Sequence, residues 1–414
     1  MKIGQVSKKY GISKDNLYYY IKYGLLVPKK KGSNYDFDAQ TLEDLERILQ
    51  LKKMRFSLSQ IHRILSLYRI SSLADPKDVE DLKHMCMDQI ASLNSQRLDL
   101  DRQIGNLENL IDSISRLSEP VAGASGVPLS MLSLICCPEC GSDFELSDIK
   151  MNQHYIHRAH LKCSCGYEAY VEDGILITPN RNTDMYDKPD VNRDMYKNLP
   201  PSLISLFEKS YNWMGEKIGK MDLNNKVVIE TYVNAWCFMH NHQKLFSPSG
   251  KYIIVDKYPE TLRMYKELID MQNYNLDILY IADSSTNFPL KEGCVDLCID
   301  YFAVNEHNFY HESFLYDKLE KYFNGDTQLL GTYFYFDNGI RSMKNLIREY
   351  PTVSKHNFSI SYFTDNMAGA VEAFEDCGYT ESSGDNIGFS FHQDGEKMYL
   401  RAYIAKASKR KKQT

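Results

Sequence analysis

No run of this sequence approaches the roughly 18 apolar residues that a membrane-spanning helix needs. The first 14 residues lack the apolar core of a signal peptide. Phosphate-loop and metalloprotease motifs are also missing, and no catalytic constellation stands out. From these absences we expect a cytoplasmic protein without a membrane partner, whose function has to be sought in other motifs.

The length and the charge distribution indicate more than one domain. A chain of 414 residues exceeds what a single hydrophobic core normally supports. Residues 1–70 hold 14 basic and six acidic side chains, a net charge of +8, whereas the whole chain carries −6, so the remainder carries −14. A basic module on an acidic chain indicates phosphate contact by the first 70 residues only.

A helix-turn-helix pattern occupies the start of the chain. Residues 2–10 predict a short helix that Gly11 ends, and Ser13 can cap a second helix that ends at Gly24. Pro28 and three lysines follow as a basic loop. This layout is typical of DNA-reading modules, whereas a lysine run by itself is equally often a solvated loop.

Residues 3–67 resemble the MerR family of bacterial transcription regulators. The resemblance covers four helices and a wing in order, and it rests on Ile3, Val6, Asn16 to Tyr20, Tyr23 to Leu26, Pro28, Tyr35 to Asp38 and Phe56 to Ile61. It implies that the second helix enters the major groove and that the wing grips the phosphate backbone. We expect a winged helix-turn-helix domain over residues 1–70, with double-stranded DNA as its partner.

Nine side chains are the predicted DNA contacts of this domain. They are Lys14, Asn16, Tyr18, Tyr19, Lys22, Lys29, Lys30, Lys31 and Tyr35. Asn16 can read an adenine edge or bond locally at the helix start. Tyr18 stands where the family usually has an arginine, and Asp36 and Asp38 replace extra basic groups in the wing. We therefore expect the operator sequence to differ from the family's.

Residues 78–118 predict one long helix with a heptad seam. Apolar residues recur every seven positions, with two isoleucines between them, at Leu93, Leu100, Leu107, Ile114, Ile104 and Ile111. The seam predicts a coiled coil with a second chain, and packing on its own domain is the alternative. In the MerR family the corresponding helix pairs antiparallel with that of a second subunit, which implies a homodimer with two DNA-reading heads.

Two close cysteine pairs follow a Pro- and Gly-containing linker at residues 119–130. They are Cys137 with Cys140 and Cys163 with Cys165. Four thiolates at this spacing can close a tetrahedral, structural zinc site, so residues 131–180 predict a zinc ribbon. Alternative ligands are Cys136 and three histidines that are otherwise surface polar residues, His154, His157 and His160.

From residue 223 onward, strands and helices alternate. Buried-type strands are predicted at residues 226–230, 252–255, 276–281, 295–300 and 328–336, with a helix at 259–271 and a final strand pair at 387–392 and 398–405. Successive β-α units predict an open, mainly parallel sheet with ligands at the carboxyl ends of its strands. We assign this Rossmann-like α/β domain to residues 190–408.

The order of these elements resembles the class I S-adenosylmethionine-dependent methyltransferases. Glu230, Asp256 and Asp283 match the acidic residues at the ends of the family's first three strands. The resemblance implies that Asp256 bonds the ribose hydroxyls of the cofactor and that Asp283 lies beside its adenine. A zinc ribbon directly before such a domain is also similar to ribosomal RNA methyltransferases with an N-terminal ribbon.

The first loop of the sheet departs from this family. Where the family has three glycines, the chain has Tyr232, Asn234 and Trp236. Glycine lets the backbone approach the cofactor, so a tyrosine and an indole are expected to occupy the space of its methionine moiety. The fold leaves S-adenosylmethionine binding possible, but this loop counts against it. Alternatively, Tyr232 and Trp236 are stacking walls for another aromatic or nucleotide ligand.

Together these segments predict a multidomain chain: an all-α winged helix-turn-helix with a long coiled-coil helix, a small zinc ribbon, and an α/β methyltransferase-like fold. We predict a MerR-type transcription regulator whose C-terminal half responds to a small-molecule effector and has no assigned catalytic residue. The alternative is an active S-adenosylmethionine-dependent methyltransferase with a DNA-binding targeting head.

Overall fold

The computed structural model describes most of the chain. The described residues are 1–32, 34–70, 73–116, 125–184, 187–189, 191–193, 201–234, 236–272, 274–336, 341–349, 358–376 and 396–407. The predicted strand at 387–392, residues 119–124 of the predicted linker and the side chain of Lys31 lie outside them. The chain divides into two compact units, residues 1–117 and 118–414.

The first unit contains five helices and a two-stranded wing. Its helices are α1 Ile3–Tyr10, α2 Lys14–Lys22, α3 Ala39–Lys53, α4 Leu58–Ile70 and α5 Pro76–Arg116. Its strands are β1 Lys29–Lys31 and β2 Asn34–Asp36. The two strands pair antiparallel, so the lysine run that we predicted as a loop is one strand of the wing.

Local capping sets the turn between α1 and α2, as predicted. Gly11 ends α1 with a φ of 66°, a left-handed torsion that glycine adopts without steric cost. At the start of α2, Ser13 Oγ accepts a hydrogen bond of 3.1 Å from the backbone N–H of Asn16. The core beneath the turn includes Val6, Leu17 and Leu45.

One guanidinium connects three helices of the first unit. Arg69 in α4 donates to the buried Asp44 carboxylate in α3, from Nε at 3.1 Å and from Nη2 at 2.7 Å. The same group donates to the carbonyl oxygens of Gly24 and Leu25, just beyond the end of α2. Helix α2 is therefore held in place by a side chain that comes from the fourth helix.

Helix α5 runs without a break for 41 residues, or about 60 Å. Leu82 and Met85 in its first part pack against the core of the unit. Farther along, its apolar side chains are exposed in the single chain: Leu98, Leu100, Ile104, Leu107, Leu110, Ile111 and Ile114. The predicted heptad positions thus present an apolar seam that this one chain does not cover.

The second unit is built on a sheet of 12 strands. The strands are β3 Val127–Pro128, β4 Glu145–Met151, β5 Tyr155–Lys162, β6 Glu168–Glu172, β7 Ile175–Ile177, β8 Val227–Thr231, β9 Lys251–Asp256, β10 Asp277–Ala282, β11 Val295–Tyr301, β12 Phe323–Phe336, β13 Val371–Asp376 and β14 Met398–Ala407. Their order is β13-β14-β12-β11-β8-β9-β10-β7-β6-β5-β3, with β4 beside β5.

Five neighbouring strands of this sheet, β10-β9-β8-β11-β12, run parallel. Strand β14 is antiparallel to both β12 and β13. Numbered by their appearance after residue 223, the parallel strands have the spatial order 3-2-1-4-5, and the order reverses between β8 and β11. The sequence predicted the open, mainly parallel sheet, and its strand order makes it doubly wound, with a crevice at the carboxyl ends of β8 and β11.

Helices cover both faces of the sheet. They are α6 Pro201–Ile218, α7 Phe238–Asn241, α8 Pro259–Gln272, α9 Ala303–Tyr310, α10 Leu315–Leu319, α11 Arg341–Glu349 and α12 Ile360–Ala370. Alternate residues of β9 face the two sides, with Tyr252 and Ile254 in one core and Ile253 and Val255 in the other. Among the described helices, none is both long and apolar enough to cross a membrane.

The strands that flank the two cysteine turns, β4 to β6, belong to the same sheet as the parallel strands. Strand β7 pairs with β6 on one side and lies parallel to β10 on the other, with Ile177 opposite Ala282. The two segments that we predicted as separate domains, residues 131–180 and 190–408, therefore share one sheet within one compact unit.

Candidate functional sites

The outer face of α2 presents the side chains that the sequence predicted for DNA contact. Tyr18 and Tyr19 are 48% and 42% exposed, and the other predicted residues of the helix, Lys14, Asn16 and Lys22, are also exposed. Two tyrosine rings and two lysines of this helix are therefore accessible to a partner.

The wing lies beside this face. The rings of Tyr18 and Tyr35 approach edge to face, with centroids 6.1 Å apart, and this contact joins α2 to β2. Lys29 and Lys30 are exposed on β1. The predicted contact residues whose side chains are described thus form one basic and aromatic surface. Tyr18 contributes an aromatic ring to it, at the position where the MerR family usually has an arginine.

The two acidic residues of the wing have structural partners. Asp36 accepts a hydrogen bond of 3.1 Å from the N-terminal ammonium of Met1. Asp38 caps α3, where its Oδ1 accepts from the backbone N–H of Thr41 at 3.0 Å and from its hydroxyl at 2.7 Å. These bonds lower the pKa of Asp38 to about 2. Both carboxylates therefore serve the fold of the head.

Four cysteines converge in the second unit. The Sγ atoms of Cys137 and Cys165 are 3.4 Å apart, as are those of Cys140 and Cys163, and all four lie within 4.8 Å of one another. Thiolates at about 2.3 Å from a tetrahedral zinc would be separated by roughly 3.8 Å. The four predicted ligands therefore fit one closed metal site.

Glycine turns close both cysteine pairs. Gly141, with a φ of 73°, donates from N–H to the carbonyl of Cys137 at 2.9 Å, and Gly166, with a φ of 96°, donates to that of Cys163 at 2.9 Å. The second pair closes in this way although it is one residue tighter than the first. Cys136 lies outside the thiol cluster, and its N–H donates to the carbonyl of Pro289.

At the crevice of the sheet, the carboxylate of Glu230 is buried and bonded by its own chain. Its Oε1 accepts from the N–H of Phe238 at 2.5 Å, and its Oε2 accepts from the N–H of Met239 at 2.9 Å. Burial nevertheless raises the pKa of Glu230 to about 7. Both oxygens of the Glu230 carboxylate thus accept hydrogen bonds from the first residues of α7.

The other two predicted cofactor carboxylates are also satisfied from within. Asp256 accepts from the N–H groups of Asn234 at 2.7 Å and Tyr258 at 3.0 Å. Asp283 accepts from the hydroxyl of Thr178 at 2.6 Å and from both N–H and hydroxyl of Ser285 at 2.6 and 2.7 Å. The structure places both acids at the sheet edge that the sequence predicted. Every carboxylate oxygen of the two residues accepts a hydrogen bond from the chain itself.

A short segment beyond β7 lies across the ends of β9 and β10. Asn182 donates from N–H to the carbonyl of Lys257 at 2.8 Å, and Ser284 donates from N–H to the carbonyl of Asn180 at 3.2 Å. With the hydroxyl of Thr178 on Asp283, these bonds hold the segment against the carboxyl ends of β9 and β10. Sequence reasoning missed this segment, because no local pattern links Thr178 to a strand 104 residues away.

Tyr232 fills the crevice itself. It keeps a left-handed φ of 57°, the torsion that a glycine would take at this loop position. Its ring, with Val255, Asp256 and Phe288, leaves a cavity of about 10 Å³, room for no more than one water molecule. This cavity as folded is therefore too small for any part of S-adenosylmethionine.

Trp236 does not share a wall with Tyr232. Its indole packs against Phe207 and Tyr211 of α6, with centroids 5.3 and 6.3 Å away, in the core on the opposite face of the sheet from the cluster that Tyr232 joins. The prediction that Tyr232 and Trp236 stack on one ligand is therefore wrong, because their side chains point to opposite faces of the sheet.

Comparison with known proteins assigns the head. The model of the MerR HTH family regulatory proteins matches residues 1–67. These residues are a MerR-family helix-turn-helix domain. The HTH-type transcriptional regulator HmrR of Sinorhizobium medicae (strain WSM419) is 29% identical over 128 residues, which are 30% of this chain and 78% of that protein.

Solved structures similar to the chain include methyltransferases. MccD protein aligns with a TM-score of 0.37 and 10% identity, over 50% of this chain and 99% of MccD. A SAM dependent methyltransferase from Aquifex aeolicus aligns with a TM-score of 0.33 and 12% identity, over 53% of this chain and 99% of that one. Because these TM-scores are low, we take the methyltransferase-like fold of the second unit from its own strand order.

Proposed function

We propose that this chain is a transcription regulator that binds duplex DNA through its MerR domain. The observation that carries the proposal is the single surface formed by α2 and the wing, where exposed lysines surround the tyrosine rings. Lysines neutralise phosphates, and aromatic rings can contact sugars and the methyl group of thymine. The net charge of +8 over residues 1–70 supports this placement of the DNA.

The exposed seam of α5 supports a homodimer. A 41-residue helix with leucine and isoleucine on one exposed stripe is not stable as a solvated rod, because burial of that stripe supplies most of a helix's stability. A second copy offers the same stripe. A dimer would carry two heads, which fits a two-fold symmetric operator.

Light scattering on the full chain tests the dimer. Leu100→Asp together with Leu107→Asp places charges in the seam, and we expect the molar mass to halve. Arg102→Asp together with Asp99→Arg, which exchanges an exposed pair on the same helix, is the matched control and should leave the mass unchanged. A wild-type chain that runs as a monomer at micromolar concentration would rule out this interface.

We further propose that the second unit senses a signal and does not transfer methyl groups. The support is the crevice: each of its three acids is bonded by the chain, and Tyr232 occupies the space beside them. The four cysteines would hold a structural zinc ion, since a site closed by four thiolates leaves no coordination position for a substrate. Metal would then stabilise the strands that flank the two cysteine turns.

Genome-wide binding and footprinting test the regulator. We expect a protected duplex site with two similar halves, and we expect the double variant Lys22→Ala and Lys30→Ala to lose it. Lys83→Ala together with Lys209→Ala removes the same charge outside the head and should retain the footprint. Absence of any protected site for the metal-loaded wild-type chain would contradict the proposal.

An active methyltransferase is the second candidate, and two observations favour it: the strand order of the sheet and the left-handed torsion retained at Tyr232. Calorimetric titration of the full chain with S-adenosylmethionine separates the candidates. Micromolar binding that Asp256→Ala abolishes would favour the enzyme over the sensor. The sensor proposal predicts no heat of binding at these concentrations.

A further inference from the structure

The exposed face of α2 carries two stripes of side chains. The geometry of an α-helix places residues that are three or four apart on one line. One line, the asparagine stripe, is Asn16, Tyr19 and Tyr23, and the other, the lysine stripe, is Lys14, Tyr18 and Lys22. The Tyr18 ring contacts Tyr35 of the wing, so the lysine stripe lies on the wing side of the helix.

The side-chain amide of Asn16 is available for a base. The backbone N–H of Asn16 donates to Ser13 Oγ at 3.1 Å, so Ser13 is the residue that caps the helix. Within the described part of the chain, the exposed amide of Asn16 makes no hydrogen bond. The first turns of a recognition helix are the part that reaches base edges. An asparagine amide there matches N6 and N7 of adenine, because it offers one acceptor and one donor in the same plane.

The Tyr19 ring is supported by the ring of Tyr23. Their centroids lie 4.8 Å apart with the planes tilted by 35°, and both rings are exposed. The contact restricts the motion of Tyr19, so less conformational entropy is lost when a partner fixes this ring. In the major groove, the apolar group that such a ring can meet is the methyl group of thymine.

The elements that meet DNA contain no arginine. The first arginine of the chain is Arg47, which comes after α1, α2 and both wing strands. Arginine is the usual reader of guanine, because its planar fork donates to O6 and N7 together. A lysine ammonium is a point charge on a flexible chain, which suits phosphates and selects guanine less sharply. The lysine stripe therefore supplies affinity for the DNA backbone.

The arginines of the head have partners within the protein. A guanidinium nitrogen lies 2.7 to 3.1 Å from a side-chain oxygen in each of four pairs: Arg47 with Glu43, Arg55 with Gln96, Arg63 with Asp81 and Arg69 with Asp44. Asp15, exposed between the two stripes, repels hydrogen-bond acceptors, and guanine presents only the acceptors O6 and N7 in the major groove. The chemistry of α2 thus disfavours guanine and fits adenine and thymine.

We propose that each half of the operator is read at A·T base pairs, where Asn16 bonds N6 and N7 of an adenine and the Tyr19 ring packs on the methyl group of a thymine. Tyr23 is a positioning residue that holds the Tyr19 ring. Asn16 and Tyr19 lie roughly 5 Å apart on the helix, so the two base pairs are within about two steps of 3.4 Å. The inference rests on the proposed DNA binding of the head and specifies the class of duplex that it selects.

Selection from random duplexes by the full, metal-loaded chain is the first test. Wild type, Asn16→Ala and Tyr19→Ala are selected in parallel. A position whose preferred base differs between wild type and a variant is one that this side chain reads, and we expect A·T there in the wild-type site. G·C at those positions, or the same site for wild type and both variants, would overturn the inference.

Modified bases identify the atoms in contact. Deoxyuridine in place of the contacted thymidine removes only the methyl group and should weaken wild-type binding about fourfold, with no effect on Tyr19→Ala. Deazaadenine without N7 should weaken wild-type binding about fivefold, with no effect on Asn16→Ala. Equal losses in wild type and the matching variant would assign the preference to DNA shape and overturn the contacts.

Salt dependence separates a base contact from a phosphate contact. Asn16→Ala and Tyr19→Ala keep every lysine, so the slope of log affinity against log salt concentration should equal that of wild type. A shallower slope in these variants would assign the two side chains to phosphates and contradict their role in base selection. Tyr274→Ala, at an exposed ring of the second unit, is the control and should keep both the selected site and the response to deoxyuridine.

The outcomes separate this inference from the regulator itself. An enriched A·T site that changes in both variants supports the two proposals together. An enriched site with two similar halves and G·C at the contacted pairs overturns the choice of bases alone. If wild type enriches no duplex, both proposals are overturned.

Discussion

A hydrogen bond of 2.7 Å joins the phenol of Tyr232 to Nδ1 of His307. Burial lowers the pKa of His307 to about 3, so its imidazole is neutral and Nδ1 can accept. Burial and nearby carboxylates hold the pKa of Tyr232 well above its usual value, so the phenol donates. This one bond fixes a tyrosine in a torsion that its backbone disfavours.

Tyr232→Phe should destabilise the second unit by about 1 to 2 kcal/mol, because it removes the donor to a buried imidazole and keeps the ring. Both tryptophans, Trp213 and Trp236, lie in this unit, so urea unfolding followed by their fluorescence measures it alone. Tyr274→Phe, at an exposed ring, is the control. Equal midpoints for the two variants would show that the bond contributes nothing.

Zinc binding should require the four clustered cysteines and should not require the adjacent Cys136. Cys163→Ser removes one thiolate and should reduce the bound zinc from about one ion per chain to a small fraction of that, measured by mass spectrometry of the purified protein. Cys136→Ser should leave the zinc content unchanged, because this thiol lies outside the cluster. Loss of zinc in the latter variant would assign Cys136 as a ligand.

Tyr18→Arg should strengthen the dependence of DNA binding on salt. A guanidinium at this exposed position adds one phosphate contact per head, which steepens the slope of log affinity against log salt concentration by about 0.9 for each contact. Tyr274→Arg adds the same charge in the second unit and should leave the slope unchanged. An identical slope for wild type and Tyr18→Arg would place residue 18 away from the phosphates.

The buried Glu230 should make the second unit less stable as pH rises. Its pKa is about 7 in the folded state and near its ordinary value when unfolded, so only the unfolded state releases the proton between these two pH values. Stability is therefore highest below pH about 4.5 and falls on the order of 3 kcal/mol by pH 7 from this group.

Glu230→Gln should remove that part of the pH dependence, again measured by tryptophan fluorescence during urea unfolding at pH 5 and 8. The variant also loses a constant amount of stability, because its amide nitrogen faces an N–H donor of α7. The difference between the two pH values is therefore the quantity to compare. If the free energy of unfolding changed equally between pH 5 and 8 in wild type and in Glu230→Gln, the raised pKa of Glu230 would be contradicted.

The features that were predicted from sequence are those with local signals. Ser13 and Gly24 flank α2 because capping and left-handed turns depend on a few adjacent residues. The glycines after Cys140 and Cys165 close both cysteine pairs for the same reason. The alternation of buried strands with helices predicted the open, mainly parallel sheet without knowledge of any contact.

The missed features depend on contacts between distant segments. The lysine run of the wing was predicted as a loop, because its strand exists only by pairing with Asn34–Asp36. Tyr232 was expected to block the crevice, but its bond to His307 joins the loop after β8 to helix α9, which follows β11, and no local pattern predicts it.

The shared sheet limits how this protein can be cut or rearranged. A chain that began at residue 190 would lack β7, and the edge of β10 that pairs with Ile175–Ile177 would lose its hydrogen-bond partners. An apolar edge strand of this kind recruits other chains and promotes aggregation. The segment that carries the four cysteines and the α/β half should therefore fold and unfold together, as one cooperative unit.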